Sequence, residues 1–160
     1  MIIFGIDPGV ERLGFSFFEK KGTNYTKYLY SGLIKTSKNI SHARRLQSIY
    51  QELEALIKKY KPSKLVLESI FTFKNQKTVV QVAHVQGVIL TLAAKHGIDP
   101  VFLSPVQIKQ IVTGFGRSDK KSVQKMLTLL LKLSSELKQD DQADAIACAY
   151  TYCCMNDRLI

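Results

Sequence analysis

Acidic residues are scarce in this chain. Thirteen Asp and Glu stand against twenty-three Lys and Arg, a net charge of +10 with an isoelectric point near 9.6. Cysteine and histidine are scarcer, at three each. Cys148, Cys153 and Cys154 crowd near the C-terminus on one expected helix, a spacing that suits neither a disulfide framework nor a zinc site. They are expected to be reduced packing residues. His42, His84 and His96 are scattered without ligand spacing and are read as ordinary surface or core side chains. No apolar run approaches the length of a membrane span, and the N-terminus lacks a charged lead followed by a long apolar core. Membrane binding is therefore the weaker reading, and a cytoplasmic, nucleoid-associated protein is expected. The basic excess points to a polyanionic partner such as nucleic acid.

What is present is a folded α/β pattern. With 160 residues, 46% of them apolar, the chain is expected to form one domain over residues 1–160. Ile2 to Ile6, Leu13 to Phe18 and Tyr25 to Lys35 read as three strands. A helix carrying Leu46, Ile49, Leu53 and Ile57 follows, with Ser41 as its cap. Then come a strand from Lys64 to Leu67, a helix from Val79 to Lys95 and a strand from Val101 to Leu103. Ser104-Pro105 opens the next helix, Ser118 is a candidate cap for a basic helix to about Leu133, and a last helix covers Asp141 to Cys154. A three-strand meander followed by crossovers predicts a mixed five-stranded sheet flanked by helices.

The few acids stand at informative places. Asp7 and Glu68 each close an apolar strand, and Asp141 and Asp144 share a helix face. Each has a plain alternative. Asp7 before Pro8-Gly9 suits a turn, and the two later aspartates suit a helix start. Glu68 is harder to explain so, since a carboxylate ending a buried strand is costly without a partner. Four carboxylates in one pocket would repel one another, and two Mg²⁺ ions relieve that repulsion while serving phosphodiester hydrolysis. Asp140, four residues before Asp144, is a further candidate for the same face.

Basic and aromatic residues follow the second acid. Phe71, Phe73, Lys74 and Lys77 lie on a segment without clear period, where lysines would hold phosphates and a ring would stack on an unpaired base. Phe73 reads equally as a core ring. Arg117, Lys120, Lys121 and Lys125 form a basic group that suits phosphate contact, with Lys120 favoured. The helix from Val79 is apolar over more than one face, which fits either burial in its own domain or pairing with a second copy.

Gly5-Ile6-Asp7-Pro8-Gly9, Leu67-Glu68-Ser69-Ile70-Phe71 and Asp141-Gln142-Ala143-Asp144-Ala145 resemble the signatures of the bacterial RuvC Holliday-junction resolvases. Gln86-Gly87-Val88, Val106-Gln107-Ile108-Lys109-Gln110 and Gly114-Phe115-Gly116 match in order between them. The resemblance implies a ribonuclease H-like fold and a homodimer that cuts four-way DNA junctions by paired symmetric nicks in recombination and repair. It implies Mg²⁺ as cofactor, with Mn²⁺ a substitute, and cooperation with the RuvA–RuvB branch-migration machinery. The catalytic acids carry over as Asp7, Glu68, Asp141 and Asp144. Two family lysines fall on Lys109 and on Lys120, with Lys121 adjoining, and an aromatic wedge falls on Phe71. Val10-Glu11-Arg12 departs from the commonest form. The competing expectations are a related nuclease acting on ribosomal RNA precursors, and a module that clamps branched DNA without cutting it.

Overall fold

A computed structural model describes residues 1–22, 25–69 and 76–155. Five strands, β1 (Ile2–Asp7), β2 (Arg12–Lys21), β3 (Tyr25–Lys35), β4 (Lys64–Glu68) and β5 (Asp99–Leu103), form one sheet in the order β3-β2-β1-β4-β5. The first three pair antiparallel, while β1–β4 and β4–β5 are parallel. Five helices complete the fold: α1 (His42–Tyr60), α2 (Gln76–Lys95), α3 (Pro105–Thr113), α4 (Lys120–Leu130) and α5 (Asp140–Cys154). This is the expected ribonuclease H-like sheet flanked by helices. β5 begins two residues earlier than its apolar run and includes Pro100. An edge strand tolerates a residue that cannot donate to the ladder.

The period of two along each strand sorts side chains between two helical layers. Phe4, Ile6, Leu13, Phe15, Phe17, Leu65 and Leu67 join the core under α1 and α2. Ile3, Phe18, Val66 and Leu103 join the core under α3, α4 and α5. Each such ring or branched chain, fully buried, stabilises the fold by about 1.5–3 kcal/mol. The same alternation directs Asp7, in step with Ile3, and Glu68, in step with Val66, toward the layer that holds α5.

Local signals set most helix ends. Ser104 and Gln107 form a reciprocal capping box with Pro105 in the first turn of α3, and Gly114 closes that helix at φ 78°. The cap of α4 is Asp119, whose side chain accepts from the Ser122 N–H at 2.7 Å, and not Ser118. Ser118 is occupied elsewhere: its hydroxyl donates to the Phe115 carbonyl and meets Thr113 Oγ1 at 2.6 Å, tying down the α3–α4 turn. α4 ends at Leu130, before the expected Leu133, and Lys132 takes a left-handed φ of 51°. The histidines are less scattered than their spacing suggests, because His42 Nε2 and His84 Nδ1 meet at 2.9 Å between α1 and α2.

α2 buries Val85, Ile89, Leu92 and Ala93 in its own chain. Beside that stripe it exposes a second row of small and apolar residues, with Val80 at 52% and Leu90 at 37%. Ala83, Gly87 and Ala94 lie in the same exposed row.

α5 approaches the sheet more closely than side chains of ordinary size allow. A Cβ on Gly5 would overlap the Ala145 carbonyl and Ala149, and one on Gly14 would overlap the Asp141 carbonyl. Ser16, fully buried between them, donates its hydroxyl to the Ala145 carbonyl at 2.8 Å. Gly14→Ala is therefore expected to lower stability by about 1–3 kcal/mol, the range for overpacking a filled site. Urea denaturation of the purified variant measures this, and an unchanged midpoint would show that α5 has room to move away.

Candidate active site

The carboxyl ends of β1 and β4 lie side by side, one residue beyond the paired Ile6 and Leu67. α5 crosses this edge and supplies Asp141 and Asp144 from its first turns. The four carboxylates border one cavity of about 410 Å³, together with Lys109 of α3 and Lys120 of α4. Pro105, Ile108, Val123 and Ala147 give the same cavity an apolar wall.

Gathering these charges has a visible electrostatic cost. Burial, reinforced by the charges of Asp144, Asp141 and Glu68, pushes the Asp7 carboxyl up to about 7, with Lys120 acting weakly against them. Glu68 is raised by burial and then by Asp144, opposed by Lys120 and Lys109. Beneath the cavity the Cys148 thiol is fully buried, and its pKa is raised well above the ordinary value by burial and by Glu68, Asp7 and Asp144. It is neutral and inert, as expected of a packing cysteine.

The helix aspartates are paired instead. Lys120 Nζ donates to Asp144 Oδ2 at 2.9 Å. Partial burial opposes the Lys120 charge, but that hydrogen bond prevails and holds its pKa above the usual lysine value. Arg12 Nε lies 2.9 Å from Asp141 Oδ2, an ion pair without the alignment of a hydrogen bond. Among the described residues no three His, Cys, Asp or Glu side chains form a closed cation cage as they stand. The donor set nevertheless fits a hard divalent cation, being made of carboxylate oxygens alone around a polar cavity. A cation there would also offset the burial and the repulsion that together keep a proton on Asp7.

Asp7, Glu68, Lys109, Lys120, Asp141 and Asp144 are thus brought together as the sequence suggested. Others are not. Asp140 turns outward and accepts from Gln124 Nε2 at 2.7 Å, away from the cavity wall. Lys121 and Lys125 line a different hollow on the far side of α4. Of the adjacent lysines it is Lys120 that faces the acids, one helix step being enough to separate them. Arg117 is exposed in the α3–α4 turn. Phe71, Phe73 and Lys74 lie outside the described residues, as does the side chain of Lys77 in the first turn of α2. The residue that sequence reasoning undervalued is Arg12. Its only sequence signal is a cation opening β2 five residues after Asp7, and its pairing with Asp141 needs α5 in place.

Residues 3–152 match the family of crossover junction endodeoxyribonuclease RuvC. The chain belongs to that family. It is 43% identical over 150 residues to the crossover junction endodeoxyribonuclease RuvC of Thermosipho melanesiensis, covering 94% of this chain and 95% of the relative. It is 38% identical over 159 residues to the RuvC of Caldanaerobacter subterraneus, covering 99% and 96%. The structure of Thermus thermophilus RuvC in complex with Holliday junction substrate superposes with a TM-score of 0.87 at 27% identity, covering 94% and 92%. The yeast mitochondrial resolvase Ydc2, at 15% identity and a TM-score of 0.66, shares the fold. Membership in the RuvC family implies dependence on a divalent cation.

The raised Asp7 pKa has a consequence for stability. The folded state holds this proton from the ordinary value of 3.8 up to about 7, whereas the unfolded chain releases it near 3.8. Between those values the native state binds more protons, so stability falls as pH rises through that window. Asp7→Asn removes the dependence, since the amide mimics the protonated acid. In EDTA the variant is expected to melt higher than the parent at pH 8, with the difference vanishing toward pH 4. Parallel melting curves across this range would refute the assigned shift.

Proposed function

We propose that this chain is a structure-selective endodeoxyribonuclease of one domain that resolves four-way (Holliday) DNA junctions by paired symmetric nicks during recombination and repair. The observation that carries the reading is the meeting of Asp7, Glu68, Asp141 and Asp144 with two lysines in one cavity, within a chain that matches the RuvC family over residues 3–152.

The four carboxylates would hold two Mg²⁺ ions, with Mn²⁺ as a substitute, which orient and activate the attacking water and stabilise the departing oxygen. Lys120 and Lys109, in the walls of the cavity, present positive charge to the nonbridging oxygens of the scissile phosphate as negative charge builds there. The apolar wall of Pro105, Ile108 and Val123 lowers the dielectric on the inner side of the cavity, where Asp7 and Glu68 lie. The Arg12 and Lys120 pairings hold Asp141 and Asp144 in position at the cavity.

Paired cuts need two such sites, and the exposed apolar row of α2 suits a homodimer interface. The charge of +10 suits a long DNA footprint, to which Arg117, Lys121, Lys74 and Lys77 contribute as phosphate contacts. Phe71, three residues beyond Glu68, serves as the wedge at the crossover, with Phe73 a second ring on the same segment. Cooperation with RuvA–RuvB belongs to the same reading.

Asp7→Asn is expected to abolish Mg²⁺-dependent nicking of a labelled synthetic junction while retaining junction binding in Ca²⁺. Undiminished nicking by this variant would refute the cation assignment. Phe71→Ala is expected to leave folding almost unchanged and to weaken the junction complex by about 1–3 kcal/mol, the value of one aromatic–base stack. Cutting should partly recover on junctions with unpaired bases at the crossover. A variant that melts early and ignores crossover pairing would place Phe71 in the core instead.

A further inference from the structure

Asp141 is a wall with two sides. Away from the catalytic cavity it borders a second one of about 430 Å³, whose polar lining also includes Glu11 of the β1–β2 turn, Arg12 at the start of β2, Arg45 of α1 and Gln81 of α2. We infer that this second cavity is a phosphodiester subsite, in which Arg45 and Arg12 grip a backbone phosphate of the strand being cut, next to the scissile one. The inference rests on the DNA-cutting function proposed above and adds to it the residues that set the register of the strand.

Arg45 is fixed in place but not satisfied. Its Nε donates to Thr36 Oγ1 at 2.7 Å, and the Thr36 hydroxyl donates in turn to the Val10 carbonyl at 2.5 Å. This relay anchors the guanidinium to the loop that carries Gly9 to Arg12. Its Nη2 is buried without a hydrogen-bond partner, and among the described residues no carboxylate pairs with Arg45. A buried cationic nitrogen left without an acceptor is costly. A phosphate oxygen entering the cavity would supply both the acceptor and the charge.

Arg12 brings the second grip. Its Nε is held at Asp141, yet the side chain is 52% exposed, and a guanidinium carries five N–H donors in a planar fork. The remaining donors suit bidentate recognition of a phosphate while Nε stays in place. Of the two carboxylates in the lining, Glu11 is paired with Lys38 at 3.1 Å and Asp141 with Arg12. The positive charge of Arg45 is thus the one left without a counter-charge in the lining, and Gln81 adds a neutral amide donor. A strand lying over Asp141 would leave the catalytic cavity directly into this one. Contacts of this kind fix register and carry no sequence preference.

The test is binding of a fluorescently labelled four-way junction in Ca²⁺, followed by polarisation across a sodium chloride series, for the intact protein, Arg45→Gln and Arg12→Gln. Loss of one phosphate contact is expected to flatten the log–log salt dependence by about 0.9, equivalent to roughly an 8-fold weaker complex at 0.1 M salt referred to 1 M. Arg45→Lys, which keeps the charge and loses the fork, should recover most of the slope but not the full affinity. Ca²⁺ binding to Arg45→Gln without DNA, read by calorimetry, should match the parent, since a loop-anchoring role alone would change it. If Arg45→Gln is less stable, the exposed Arg12→Gln decides. A parent-like salt slope in both glutamine variants would overturn the subsite. So would loss of inorganic phosphate binding in Arg45→Gln with junction binding intact, because the ligand would then be a free anion. Failure of the intact protein to bind the junction would instead remove the function on which the subsite rests.

Discussion

The contact between α5 and the backbones of β1 and β2 decides the rest of this structure. Gly5 and Gly14 leave no side chain between helix and sheet, so the Ala145 carbonyl and the Ala149 methyl come down onto Gly5 and the Asp141 carbonyl onto Gly14. Ser16 adds a buried hydrogen bond to the same turn of α5. A helix normally packs on a sheet through full side-chain layers, and here that layer is removed at the points of closest approach. The result is that Asp141 and Asp144, which α5 carries in its first turns, reach the strand ends that carry Asp7 and Glu68. A helix standing farther off would keep the fold and lose the cavity.

That closeness creates the electrostatic problem on which function depends. Four carboxylates around a half-apolar cavity cannot all ionise freely, and Asp7, the most buried of the acids, bears most of the consequence. The protein meets the problem with fixed cations from neighbouring elements, Lys120 from α4 and Arg12 from β2. Both lie at the rim, where solvent screens them, so neither closes the cavity. The site is destabilising by construction, and the two separate hydrophobic cores on either side of the sheet offset it.

The two helical layers divide the remaining work. α1 and α2 cover the face of the sheet opposite the four acids of the cavity, and α2 leaves a second row of small and apolar residues exposed. α3, α4 and α5 surround the cavity, and the short α3–α4 turn is tied by Thr113, Ser118 and Phe115 so that Lys120 begins its helix facing Asp144.

The sequence alone determined the element order, the sheet and the four acids, because each rests on local physics. Asp7 and Glu68 each closed an apolar strand, three-residue spacing placed Asp141 and Asp144 together, and Ser104-Pro105 marked a helix start. It left Lys120 and Lys121 almost equivalent and Asp140 a rival to its neighbours. Those choices turn on helix phase relative to a distant partner, which no local pattern encodes. Ser118 and Asp119 were both chemically able to cap α4, and a contact with the preceding turn chose between them. The Arg12–Asp141 pair, the His42–His84 contact and the Arg45–Thr36–Val10 relay join residues far apart in sequence. Only tertiary packing could decide them, since each exists solely where two elements meet and leaves no periodicity in either.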